Sequence, residues 1–177
     1  MRRPIALCLA ALAPFPAAAQ QEEMVWIYNR YVEPNPLNTY LGLVYGIPET
    51  DAMQASISCA IGANWVYATV DLGTDVEGYA DGATVPVQVV WPSFRSTYDG
   101  TVFRHEEGIW GVSLAIPLDD PFWPLMDTGA WMTYGVPGRP PAQLPLGQVG
   151  VPLHAFLGDC TNIGELQPTG EGEPASK

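Results

Sequence analysis

Lysine is almost absent from this chain of 177 residues, since Lys177 is the only one. Lysine and arginine together number seven, against 19 aspartates and glutamates, so the formal net charge is −12. A chain with this balance repels nucleic acid and anionic membrane surfaces, which disfavours both as partners. The acidic residues are scattered through turns and the C-terminal segment, a distribution typical of a solubilising surface.

Long apolar runs are also missing, and none approaches the 18 residues that a membrane-spanning helix needs. Residues 5–15 form an apolar stretch of about a dozen residues, too short to span a bilayer. This stretch follows the basic start MRR and precedes the small residues Ala17 to Ala19. The pattern predicts a secretory signal peptide over residues 1–19 and a periplasmic or secreted product. Without the two arginines of the leader, five basic residues face 19 acidic ones, a net charge of −14.

Motifs of the common hydrolases are lacking. No G-x-S-x-G nucleophile elbow occurs, and the two histidines, His105 and His154, are expected at the surface without catalytic partners. An acidic pair could still assemble in the fold, as glycoside hydrolysis requires. The available carboxyl groups are Glu106, Glu107, Asp119 and Asp120. The interpretation favoured by the sequence is a protein that is not an enzyme, has no catalytic residues and binds no cofactor.

Metal-binding spacing is absent too. Four hard oxygen ligands do occur close together in an acidic, glycine-rich segment, and these weak calcium candidates are Asp71, Asp75, Glu77 and Asp81. Their spacing does not follow the EF-hand loop, which places ligands at alternate positions with glycine sixth. A solvated loop is the expected structure, with no metal site.

Cysteine is scarce, and its positions are informative. Cys8 lies in the predicted leader, which leaves Cys59 and Cys160 in the mature chain. Two cysteines in an exported protein most simply form one disulfide. The bridge would close a loop of about 100 residues, for which chain entropy suggests a stabilisation of up to roughly 4–5 kcal/mol.

Glycine and proline, at 18 residues each, combine with 11% aromatic residues. This composition favours short strands joined by many turns. Strict alternation marks strands at 53–60 and 84–91, a Tyr-Asp-Gly-Thr turn is predicted at 98–101, and short helices are predicted at 121–127 and 151–157. Residues 138–145 are predicted to be a proline-rich loop.

The predicted fold is therefore mainly β, an antiparallel β-sandwich or open barrel of about eight short strands with two short helices. No internal repeat or second composition regime occurs, so residues 20–162 are expected to form a single β-rich domain. Residues 163–177 are rich in Gly, Pro and Glu, and are predicted to be a disordered tail.

Two features suggest a binding surface. Pro86 lacks a backbone N–H, which favours an edge strand that could accept a partner strand. Most tryptophans are expected in the core, but an exposed aromatic patch could bind sugars or peptides. The residues that could supply such a patch are Tyr28, Tyr31, Tyr40, Trp65, Tyr67 and Trp131.

Three segments carry a resemblance. They are "YGIPETDA" before a strand that ends in cysteine, "DDPFWPLMDTG", and the closing "VPLHAFLGDC". Over roughly residues 24–160 the layout is similar to that of small exported single-disulfide proteins of unknown function from Gram-negative bacteria, in particular type VI secretion-associated accessory proteins. The resemblance implies the Cys59–Cys160 bridge and transfers no catalytic residues.

These observations predict an exported, non-catalytic binding or accessory protein of the cell envelope, whose partner is a protein, peptide or glycan. A hydrolase of envelope polymers that uses an acidic pair is the alternative from another class, and an inhibitor protein is a third.

Overall fold

In the part of the chain that the structure describes, nine antiparallel strands form one curled sheet with two short α-helices on its inner side. The computed structural model describes residues 23–59, 67–105 and 110–169, so the predicted leader lies outside the described residues. The strands are β1 Val25–Tyr31, β2 Tyr40–Gly46, β3 Met53–Cys59, β4 Tyr67–Gly73, β5 Thr84–Trp91, β6 Phe94–Arg104, β7 Trp110–Pro117, β8 Trp131–Gly135 and β9 Ala142–Pro145. The helices are α1 Phe122–Thr128 and α2 Gly150–Thr161. The mainly-β open barrel with two short helices is confirmed.

The strand order in the sheet is β1-β2-β3-β4-β7-β6-β5-β8-β9. The first four strands form a meander, after which the chain crosses to β5 and returns through β6 to β7. Arg104 holds the crossing segment because its Nη2 donates to the carbonyl oxygens of Val76, at 2.8 Å, and Tyr79, at 2.7 Å. Helix α1 then carries the chain from β7 to β8 on the far side of β5.

Alternation along each strand separates an inner, buried face from an outer, partly exposed one. In β4, Ala68, Val70 and Leu72 are buried, whereas Thr69 and Asp71 between them are only partly buried. The same alternation over β3 and β5 places their apolar residues inward, as the sequence predicts. Both helices lie on the inner face, where Phe122 of α1 packs edge-on against Trp91 and Phe156 of α2 against Tyr28.

The two ends of the sheet meet through side chains rather than a backbone ladder. Trp26 Nε1 on β1 donates to the Pro145 carbonyl oxygen on β9 at 2.9 Å, and Gln54 Nε2 on β3 donates to that of Gln143 at 2.7 Å. Tyr134 also crosses the interior, and its hydroxyl donates to the Gly73 carbonyl oxygen at 2.9 Å. Burial raises the pKa of Tyr134 to about 12, so this donor keeps its proton at neutral pH.

The turn predicted at residues 98–101 is wrong. Residues 98–101 lie inside β6, and the chain reverses between Trp91 and Phe94 instead. A Cβ at Gly100 would approach Val87 Cγ2 to 2.7 Å and Leu114 Cδ2 to 2.9 Å, so this glycine allows close packing and does not form a turn.

The predicted proline-rich loop contains β9, which pairs with β8 from Trp131↔Pro145 to Tyr134↔Ala142. Strand β5, expected at an edge, is internal because it pairs with both β6 and β8. Strand β8 pairs only with Gln88 to Val90 of β5. Pro86 lies outside this stretch, so its missing N–H removes no hydrogen bond to β8.

The domain extends past the boundary predicted at residue 162. Ile163 is buried, and the Thr169 N–H donates to the Val32 carbonyl oxygen at 2.8 Å. The predicted tail therefore begins with a segment packed against the end of β1, and its remainder, 170–177, lies outside the described residues. Within the described ranges, no helix is long and apolar enough to cross a membrane.

Candidate binding face

The cysteines pair as predicted. Cys59 ends β3 on the inner face and is bonded to Cys160 in the last turn of α2, with the two Cα atoms 5.9 Å apart. Tyr28 and Arg30 on β1 fix the same turn, since both donate to Asp159 Oδ2, at 2.7 and 2.8 Å. Burial and this hydrogen bond to Asp159 raise the pKa of the Tyr28 hydroxyl, which keeps it protonated as a donor. Cys59, Cys160 and Tyr28 therefore anchor α2 to the sheet. The helix fills this part of the inner face.

The outer face of β1 and β2 carries two tyrosines at directly opposed positions. Tyr31 pairs with Tyr40 in the register of the two strands, and their side chains are 54% and 44% exposed. The ring of Tyr40 leans over Gly42, where a Cβ would collide with its hydroxyl end. Because Gly42 has no side chain, one side of the Tyr40 ring can lie against the sheet. The other side of the ring faces outward. We call Tyr31 and Tyr40 the tyrosine pair.

A second row crosses four strands of the same face. Asp71 on β4 lies opposite Ser56 on β3 and Ser113 on β7, and Ser113 lies opposite Thr101 on β6. We call these four residues the hydroxyl row. Directly opposed side chains on antiparallel strands have Cβ atoms about 4.5–5.5 Å apart, so the Asp71 carboxylate is flanked by two hydroxyl groups.

Asp71 is only partly exposed in this row. Burial raises the pKa of its carboxyl group, while a hydrogen bond with Ser113 and the nearby His105 act in the opposite direction. His105 itself is exposed, and its ring lies 5.0 Å from that of Phe103, measured between centroids. The residues opposite Asp71 on both sides are serines, so an acidic pair is not formed across these strands.

The four calcium candidates do not converge. Asp71 belongs to β4, which extends three residues into the predicted loop. Asp75 and Glu77 instead lie 3.7 and 3.8 Å from Arg139 Nη1. Asp81 is exposed. Among the residues that the structure describes, no group of three or more His, Cys, Asp or Glu side chains could hold a metal ion.

Two of the other candidates for catalysis, Asp120 and His154, have structural roles. Asp120 Oδ1 accepts hydrogen bonds from the Tyr98 hydroxyl at 2.9 Å and from the N–H of Phe122, the first residue of α1, at 2.8 Å. His154 Nε2 lies 3.0 Å from Asp127 Oδ2 and joins α2 to α1. Glu106 and Glu107 lie outside the described residues.

The tryptophans divide between core and surface. Trp26, Trp91 and Trp123 are buried, whereas Trp110 and Trp131 are exposed, and Trp65 lies outside the described residues. Trp110 is held by its neighbours: its Nε1 donates to the His105 carbonyl oxygen at 2.9 Å, and the Arg104 guanidinium lies 5.1 Å from its ring centroid. Sequence reasoning named the tyrosines but missed the hydroxyl row, whose only signal was the polar alternation of β3.

Two shallow cavities lie near β9. One, of about 170 Å³, is lined by the start of β1 and the end of β9, and the other, of about 180 Å³, lies beside Arg139. Both are smaller than the roughly 300–1,000 Å³ typical of ligand pockets. Neither of these two cavities therefore suits a ligand of that size.

No protein-family model matches this chain, and no curated protein matches it. The solved structures include a distant neighbour, the crystal structure of invasion associated protein b from Bartonella henselae. It is 11% identical, the match covers 75% of this chain and 93% of that one, and the TM-score is 0.46. At that level of similarity the neighbour carries no argument about the site, whose chemistry must be judged from its own residues.

Proposed function

We propose that this protein is an exported, non-catalytic binding protein that holds a glycan on the outer face of its sheet. The observation that carries the proposal is the tyrosine pair: two half-exposed rings at opposed positions of neighbouring strands, one of them resting on Gly42. Aromatic rings present a large apolar surface with a polar end. Such a surface suits the apolar face of a sugar ring, and the hydroxyl row supplies polar partners on the following strands of the same face.

The strand edges are less suited to binding than this face. The outward carbonyl groups of Gln143 and Pro145 on β9 already accept hydrogen bonds from Gln54 and Trp26. At the end of β1, Val32 is bonded to Thr169 through both its N–H and its carbonyl oxygen. Strand addition needs a row of free backbone groups, which these contacts interrupt.

The test is calorimetric titration of the oxidised protein with the hexasaccharide of β-1,4-linked N-acetylglucosamine. We expect the double variant Tyr31→Ala/Tyr40→Ala to weaken binding at least tenfold, because both stacking surfaces are removed. Phe94→Ala is the matched control, since Phe94 is also an exposed aromatic residue but lies at the β5–β6 turn. Equal losses in the double variant and the control would contradict the proposal, as would an unaltered protein that binds neither this hexamer nor its deacetylated form.

A further inference from the structure

We infer that the hydroxyl row is an ammonium subsite, so that the glycan selected by the outer face carries a free amine. The inference rests on the proposed function and names its ligand class. It is carried by the placement of one carboxylate, Asp71, between Ser56 and Ser113 on a partly exposed face.

The number of acceptors matches the ligand group. A primary ammonium group has three N–H donors. The two carboxylate oxygens of Asp71 and the hydroxyl of Ser56, whose Cβ is at the neighbouring cross-strand position, supply three acceptors. A hydroxyl group of a neutral sugar has a single donor and would use only part of this set.

Charge points to the same ligand. In the described part of the chain, no arginine forms an ion pair with Asp71: Arg30 pairs with Asp159, and Arg139 with Asp75 and Glu77. Arg104 donates instead to backbone carbonyl groups. The nearby group that becomes cationic on protonation is His105, which is exposed. A partly buried carboxylate without a strong counter-ion is costly, and a ligand cation would supply the missing charge.

The two parts of the face are spaced for one extended ligand. Val44 lies four residues beyond Tyr40 on β2 and is directly opposite Ser56 on β3. At about 3.3 Å per residue, the tyrosine pair and the hydroxyl row lie roughly 13 Å apart along the strands. A short oligosaccharide can stack on the tyrosines at one end and place an amine beside Asp71 at the other.

The experiment compares two probes that differ only at nitrogen: the β-1,4-linked hexamer of glucosamine and that of N-acetylglucosamine. Titrations are made on the oxidised protein at a mildly acidic pH at which the sugar amines are protonated. We expect the free-amine hexamer to bind at least tenfold more tightly. Asp71→Asn should abolish this preference, so that the two hexamers bind the variant with equal affinity.

Asp99→Asn is the matched control, because Asp99 is an exposed carboxylate on β6. An equal loss of preference in this variant would show general charge attraction and overturn the subsite. If both hexamers bind equally, the subsite is wrong and the proposed function stands; if neither binds, both fail. Ser56→Ala gives an independent readout should Asp71→Asn fold poorly, with an expected severalfold loss of the preference.

Discussion

Asp71 shows how neighbours across strands change the role of a single residue. In the sequence, Asp71 begins an acidic, glycine-rich segment that predicts a loop. This position makes Asp71 a weak candidate for a calcium ligand. Strand β4 continues through Gly73 because Leu72 is buried in the same alternation as Ala68 and Val70. The Asp71 carboxylate therefore lies on the sheet, between serines of two other strands, where its ionised form is partly desolvated.

The raised pKa of Asp71 predicts a pH dependence of stability. Because the folded protein binds this proton more tightly than the unfolded chain, protonation stabilises the fold. The stabilisation is complete below the unfolded pKa of 3.8 and is lost as the pH rises through the higher folded value. Asp71→Asn should therefore unfold at higher urea concentration than the unaltered protein at neutral pH, and the difference should shrink on acidification. Asp99→Asn controls for loss of one charge, and a neutral-pH destabilisation by Asp71→Asn would contradict this account.

At the scale of elements, α2 is the part of the fold that depends most on long-range contacts. The helix lies on the inner face of β1 and β2, and its last turn is bonded to β3 through Cys160. Cys59 and Cys160 are separated by 101 positions in the chain. The disulfide therefore restricts nearly the whole unfolded domain, and it is compatible with an oxidising compartment.

Loss of the disulfide should lower the free energy of unfolding by up to about 4–5 kcal/mol, the chain-entropy value for a loop of this length. Urea denaturation of the Cys59→Ser/Cys160→Ser variant measures the loss. Dithiothreitol should destabilise the unaltered protein to a similar degree and have no effect on the variant. Intact mass should rise by about two daltons on reduction, and an unchanged mass would refute the bond.

At the scale of the whole molecule, the curled sheet is closed by side chains that reach between its ends. Trp26 and Gln54 donate to carbonyl groups of β9, a short strand that carries proline at its end. Because these side chains occupy two carbonyl acceptors of β9, they also protect this edge from pairing with other chains. Nothing in the local sequence of β9 indicates this closure.

Trp26→Phe should open this contact. The ring remains apolar, but the donor to the Pro145 carbonyl oxygen is lost, at an expected cost of about 1 kcal/mol. Hydrogen exchange should become faster for the amides of β9 than for those of β3 or β4. Trp131→Phe, at an exposed tryptophan of β8, is the control and should leave exchange unchanged. Uniform exchange across the sheet would argue against a local opening.

The sequence by itself determined the strand character of this chain, the inward face of most strands, the two short helices and the cysteine pair. These follow from local rules: alternation with a period of two, helix-starting Asp-Pro signals and a scarcity of cysteine. Only the tertiary structure decided that Gly100 packs between Val87 and Leu114, that residues 142–145 of the predicted proline-rich loop form a strand, and that Ser56 and Ser113 flank Asp71. The reason is that each of these depends on which strands become neighbours, and residues far apart in the chain decide that pairing.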